Sequence, residues 1–322
     1  MDRESLGLQD RNFYLLEMVR GLLLSEIAFQ EISQKYKKGH LRFSDVGNWV
    51  DDKGKSILYD LKEQCHSLFR HTGKGPLHKN EWLLDLAIGS IFHEAMKLRE
   101  NLYQAEAYRP KYLEYQSKAG KSPHEKEYLQ GFARIIDRAE QGVKDGMEET
   151  ATLFRYVMTQ LKDFFKENAK NRFLVRFLLE HQTLLQRVYG RKGTREIFMG
   201  MFKNGLLGAF DLAGRSYLQS GHYDLSASCF SKASGLDPQN RELQFYLNLS
   251  LGMKAYYKNA YSRALAYFAK LVPLRVDEKM KKEYLKKAEE VCHRISAELG
   301  EEKRKRASVQ CQLLATQIKK ML

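Results

Sequence analysis

Proline is scarce in this chain, 5 residues in 322, and cysteine is scarcer still at 4. Tryptophan occurs only twice. Long apolar runs are missing as well. A membrane-spanning helix needs about 20 apolar residues in a row. The best stretch here, Leu83 to Ile91, is interrupted by Asp85 and closed by His93 and Glu94. The start, Met1-Asp2-Arg3-Glu4-Ser5, is charged and leads into no apolar core, so it does not read as a signal peptide. Cys65, Cys229, Cys292 and Cys311 lie far apart and form no Cys-x-x-Cys pair, which argues against zinc clusters and redox dithiols. These absences point to a cytoplasmic chain with no membrane span, whose thiols stay reduced, buried and inert. Gly-rich phosphate loops, Gly-x-Ser-x-Gly, His-Glu-x-x-His and Walker patterns are missing too. Motifs therefore assign no catalytic residue and no cofactor.

What is present favours helix. Apolar residues make up 43% of the chain, too many for a disordered polymer. Few prolines and abundant Leu, Ala, Lys, Glu and Gln support helix nearly everywhere. The length suits roughly two domains. Phe13, Leu16, Val19, Leu23, Ile27 and Ile32 mark an amphipathic helix over 11–36, ended by Gly39. Ser44 and Asp45 open a second helix to about Phe69, with Gly47 and Gly54 allowing a break. Asn80 caps a third, from Glu81 to Tyr108, which is apolar on nearly every side and so is expected at the centre of a bundle. Arg109-Pro110 interrupts it. Ser122, Pro123 and Glu125 open a helix to about Lys144. Asp145-Gly146 reads as a turn, with helices near 147–167 and 171–189 after it and a break from Gly190 to Gly193. No strand is expected. The fold class is all-α, with an N-terminal helical bundle (1–190) followed by a C-terminal helical module (191–322).

That module repeats itself at a spacing of 38 residues. Ser226-x-x-x-Phe230 matches Ala264-x-x-x-Phe268, and Gly221-His222-Tyr223 matches Asn259-Ala260-Tyr261 at a turn. Gly214-x-x-Tyr217 compares with Gly252-x-x-x-Tyr256, and Asp237-Pro238 closes the first unit. The pattern resembles the tetratricopeptide repeat. The first unit, 207–240, carries Gly214, Tyr217, Gly221, Tyr223, Phe230, Ala233 and Pro238 at family positions, with Ser226 replacing the usual alanine. The second, about 245–277, carries Gly252, Tyr261, Ala264 and Phe268, with its tyrosine displaced to 256 and Pro273 early. The resemblance implies a helical-hairpin solenoid whose concave face binds a protein or peptide. Asp211, Arg215 and Leu218 would stand on that face, with Tyr246, Leu249, Ser250 and Met253 beside them. The Lys and Asn set that holds a peptide's terminal carboxylate in some such repeats is absent. Two units cannot cover their own ends. Residues 195–206 would cover the front, and 279–322 would cap the back through Tyr284, Leu285, Ala288, Val291 and Ile295. The expected function is a non-catalytic scaffold or adaptor. The other reading of the layer is that it only packs on its own N-terminal domain.

Charge adds two further readings. Lys and Arg number 54 against 40 Asp and Glu, a net charge of +14. Residues 201–322 hold 21 basic and 12 acidic side chains, and residues 1–200 hold 33 and 28. The excess therefore lies mostly in the module and favours a partner of acidic character. A second concentration spans 155–215, where Arg172, Arg176, Arg187, Arg191, Lys192 and Arg195 are interleaved with Phe164, Phe165, Phe173, Phe177 and Tyr189. Clustered cations among aromatic rings suit nucleic acid. A helix with an aromatic core face and a solvated basic face gives the same pattern. Lys303-Arg304-Lys305-Arg306 reads either as a localisation patch or as part of a mixed-charge helix. A lesser alternative is a metal-binding bundle enzyme. Glu63-x-x-His66 has the ligand spacing, Glu290-x-x-His293 repeats it, and Asp85, His93, Glu94, Arg99 and Glu100 dot the apolar third helix. The competing reading of that helix is a polar latch between helices.

Overall fold

The structure, a computed structural model, describes residues 3–50, 58, 61, 79–118, 122–274, 279–299 and 305–321. It is all-α, with twelve helices and no strand among the described residues. In chain order they are α1 (Arg3–Lys37), α2 (Phe43–Val50), α3 (Lys79–Lys118), α4 (Pro123–Glu167), α5 (Arg172–Glu180) and α6 (Gln182–Met201). Then come α7 (Leu206–Gln219), α8 (Tyr223–Leu236), α9 (Arg241–Tyr257), α10 (Tyr261–Ala269), α11 (Lys279–Leu299) and α12 (Lys305–Lys319). Among the described residues no helix is long and apolar enough to cross a membrane. The chain divides into two units, 1–168 with 181–194, and 169–180 with 195–322. This is not one cut at 190, because α5 belongs with the C-terminal helices.

The first unit is framed by the α3–α4 hairpin. Ile88, Ile91, Ala95, Leu98, Leu102 and Ala105 are buried along α3 at alternating steps of three and four, the spacing of a coiled-coil seam. Ile136, Ala139, Val143, Met147 and Phe154 form the matching buried stripe of α4. Ser122 and Glu125 close a capping box at the start of α4, with Pro123 in the first turn. Phe29 of α1 stacks on Phe154 at 5.1 Å and lies 5.8 Å from Trp49 of α2. Glu106 of α3 accepts the Phe43 N–H at 2.7 Å, placing a carboxylate at the positive end of α2. The expected course of the second helix from 51 to 69 lies almost wholly outside the described residues, with Leu58 and Leu61 the exceptions.

Three expected boundaries differ from the structure. Pro110 lies inside α3. It forfeits one backbone bond to the preceding turn, while the buried seam holds the helix together. Asp145-Gly146 lies inside α4. A Cβ on Gly146 would sit 3.6 Å from the Leu98 Cβ, an ordinary contact distance, so this position lies in the helix seam and makes no turn. Asn80 is inside α3, which starts at Lys79. Nor is α3 buried all round, because Leu86 and Met96 are exposed. The expected break near 190 is present as a kink at Gly190, whose φ of +70° is left-handed.

In the second unit the 38-residue period is visible in the backbone. Gly221 (φ +76°) and Asn259 (φ +56°) take the left-handed conformation at equivalent turns. His222 N–H to the Tyr217 carbonyl and Ala260 N–H to the Ala255 carbonyl are both 2.9 Å, the same helix-ending bond made twice. A Cβ on Gly214 would meet the Phe230 ring at 2.8 Å, and one on Gly252 would meet the Phe268 ring at 2.4 Å. Each hairpin is thus closed by a glycine of its first helix lying flat on an aromatic ring of its second. At this period the counterpart of Tyr217 is Ala255, so Tyr256 occupies no equivalent place. Ile197, Phe198 and Met201 are buried ahead of the hairpins. Behind them, Leu285, Ala288, Cys292 and Ile295 of α11 and Cys311, Leu314 and Ile318 of α12 join one core with the repeat layer.

Candidate functional site

The expected concave face is built around Arg215. Asp211 and Arg215 lie one turn apart on α7. The Arg215 Nε donates to both Asp211 carboxylate oxygens at 3.0 and 3.1 Å, one terminal nitrogen donates to Glu242 at 2.7 Å, and the other donates to the Tyr246 hydroxyl at 3.0 Å. Burial works against the guanidinium charge, but Asp211 and Glu242 outweigh it and hold the group firmly protonated. Glu242 was not among the residues expected from sequence. Its position at the start of α9, 27 residues on, gives no periodic signal.

The rest of that face is closed. Leu218, Tyr246, Leu249, Ser250 and Met253 are all buried. Tyr246 is stacked on Phe230 at 5.2 Å and meets Tyr284 of α11 edge-on at 6.0 Å. Ser250 donates to the Tyr246 carbonyl and shares a 2.8 Å hydroxyl bond with Ser226. The void left beside Leu218, Leu249, Met253 and Tyr284 is about 10 Å³, too small for a ligand. The expected partner face is therefore occupied by the chain's own α11. The physical reason is that the exposed apolar side of two hairpins and the apolar stripe of α11 bury each other. Of the seven residues expected on that face, only Asp211 and Arg215 keep partial access to solvent.

An open cleft of about 500 Å³ lies instead at the turn edge of the layer, bounded by Tyr223, Leu225, Lys254, Tyr257 and Lys258. The Tyr223 and Tyr257 rings stack at 5.3 Å and 16°. Tyr257 is 65% exposed and Leu225 47%. Lys254 and Lys258, one turn apart, share a single carboxylate, Asp224, at 2.6 and 3.7 Å. The Tyr223 hydroxyl is pushed up to about 12, by burial first and then by Tyr257, so it stays a neutral donor. Sequence reasoning counted Tyr223 only as a structural position. The legible signal was Lys254-x-x-Tyr257-Lys258, an aromatic between two cations on one helix face.

The basic stretch does not form a single surface within either unit. Arg187, Arg191 and Lys192 belong to the first unit, and Arg172, Arg176 and Arg195 to the second. The interleaved rings Phe164, Phe165 and Phe177 are core residues, and the Tyr189 hydroxyl is tied to the Met158 carbonyl at 3.2 Å. Core aromatics cannot stack on bases. Arg176 lies over the Tyr217 ring at 3.8 Å, Arg172 over Phe173 at 5.1 Å, and Arg187 pairs with Glu31 at 3.4 Å. Arg191, Lys192 and Arg195 are exposed.

The third-helix polar residues divide. Arg99 lies over the Phe43 ring at 5.0 Å, linking α3 to α2. Asp85, His93 and Glu94 border a cavity against α4. Glu63 and His66 lie outside the described residues, as do the side chains of 303–306. Glu290 and His293 are exposed, and His293 is 3.8 Å from Glu289. Among the described residues no three His, Cys, Asp or Glu side chains converge on a metal-sized point. Comparison with known proteins adds nothing to this geometry: no protein-family model, no curated protein and no solved structure matches the chain.

Proposed function

We propose that the chain is a non-catalytic protein–protein adaptor of the tetratricopeptide-like kind, and that it takes an acidic segment of its partner in the turn-edge cleft rather than on the concave face. The family assignment rests on the paired Gly214–Phe230 and Gly252–Phe268 contacts and the paired left-handed turns. The docking site rests on one observation. Two stacked tyrosines and an exposed leucine stand beside two lysines that have one carboxylate between them. An acidic chain bearing aromatic or aliphatic side chains satisfies both halves of that surface. Its carboxylates meet Lys254 and Lys258, and its rings cover Tyr257. Such contacts carry affinity because aromatic anchors dominate small interfaces, while the module's positive charge speeds encounter.

The test uses a random glutamate–tyrosine copolymer as probe. Wild-type protein should bind it, and Tyr257→Ser with Lys254→Glu and Lys258→Glu should abolish binding without changing the circular dichroism spectrum. Equal binding by the variant, or a preference for polylysine, would sink the assignment. Single-stranded oligothymidine tests the nucleic-acid reading. Retention at about 50 mM salt, lost by about 200 mM and exceeding that of the copolymer, would replace the proposal.

A further inference from the structure

Between α3 and α4 of the first unit lies a cavity of about 920 Å³, on a different part of the chain from the cleft above. Sites for small molecules fall at roughly 300–1,000 Å³ and combine apolar walls with a few convergent polar groups. Here Leu86, Ile88 and Leu153 supply the apolar surface. Asp85, Glu94, Glu148 and Glu149 supply four carboxylates, His93 lies beside them, and no Lys or Arg lines the cavity among the described residues. In a chain of net charge +14 this is a local reversal of sign.

We propose that this cavity binds an organic cation: an ammonium or guanidinium group carried on an apolar stem. The volume is far larger than a metal ion needs, and the carboxylates border a space instead of closing on a point. The apolar wall has no use for a bare ion and suits a hydrocarbon body. The state of the carboxylates agrees. Glu149 is pushed above the usual carboxylate range, first by its hydrogen bond with Glu94 and then by the charge of Glu94. Glu94 stays below that range despite its own burial, because Lys97 donates to it. Two carboxylates crowded in this way repel each other, and a bound cation offsets that repulsion. Also facing this pair are the His93 side chain on α3 and Asp145 on α4.

The experiment is a titration of the full chain with 4-phenylbutylamine, against 4-phenylbutyrate, which has the same body and the opposite charge. The amine should bind and the acid should not. Glu149→Gln combined with Glu148→Gln should weaken the amine by about tenfold or more, the effect of losing bonds to a charged group. Gly89→Leu should block binding, since a Cβ there meets nothing within 4 Å and the added side chain projects into open space. A leucine–lysine helical peptide separates the two sources of such a group. If it displaces the amine, the cation belongs to a polypeptide; if it does not, the ligand is a free amine. Equal binding of acid and amine overturns the proposal. So does amine binding that neither the glutamine variant nor Gly89→Leu alters.

Discussion

Two glycines show how single atoms set the repeat layer. Gly252 has the Phe268 ring 2.4 Å from where its Cβ would stand, and Gly214 has Phe230 at 2.8 Å. Both rings are fully buried and cannot swing away. Gly252→Ala and Gly214→Ala are each expected to destabilise by about 1–3 kcal/mol, the cost of overfilling a core, with Gly252→Ala the worse. Gly131→Ala, in α4 with nothing near its Cβ, is expected to gain up to about 1 kcal/mol. Urea denaturation distinguishes the three, and equal gains in all would mean that helix propensity alone decides. Arg215 presents the opposite case, a side chain needed by three neighbours. Arg215→Met leaves Asp211, Glu242 and the Tyr246 hydroxyl without their shared donor. A loss of about 2–3 kcal/mol is expected, partly recovered by adding Asp211→Asn with Glu242→Gln. The repeat glycines were legible because glycine followed at fixed distance by an aromatic is a pattern. The filling of the expected partner face was not legible. Tyr246 and Tyr284 lie 38 residues apart, but nothing local tells which tyrosine lies on a partner and which lies on its own chain.

Helices in this fold are longer than their punctuation suggests. Pro110 and Asp145-Gly146 are strong local breakers, yet both sit within helices of 40 and 45 residues. A seam of buried residues along the whole hairpin outweighs a single missing backbone bond. Pro110→Ala restores that bond at an exposed position, and is expected to stabilise the chain by about 1–3 kcal/mol. A thermal melt that falls instead would show that the proline shapes α3 in a way its neighbours require. Ser122-Pro123-x-Glu125 was read correctly, because a capping box satisfies its own donors within four residues. Asp145-Gly146 makes no turn because the seam that carries the helix through it is formed with residues such as Leu98, 48 positions from Gly146. Local chemistry is legible where the partner is local.

For the molecule as a whole, the thiols report on folding. Burial pushes Cys229 up to about 11 and Cys292 up to about 12. At pH 8 the thiolate of Cys229 is then about one part in a thousand, and only the thiolate reacts. Iodoacetamide labelling of Cys229 and Cys292, located by mass spectrometry, is expected to be slow at pH 8 and to rise through the same urea range as the loss of helix. Labelling at the rate of a free thiol in native buffer would contradict their placement. Charge, too, is read at this level. The excess of Lys and Arg in residues 201–322 was legible from counting. The cavity of opposite sign was not, because Glu94 and Glu149 are brought together only when α3 and α4 pair.

The chain passes between its two units three times, at 168/169, 180/181 and 194/195. During synthesis α5 leaves the ribosome before the stretch that completes the unit ahead of it. Neither unit can therefore be finished strictly before the other has begun. The same threading governs dissection of the gene. Stopping the reading frame at 168 deprives the first unit of residues 181–194, and stopping it at 194 leaves α5 stranded on the wrong fragment. An isolated C-terminal unit calls for a spliced gene that joins 169–180 directly to 195–322 through a designed linker.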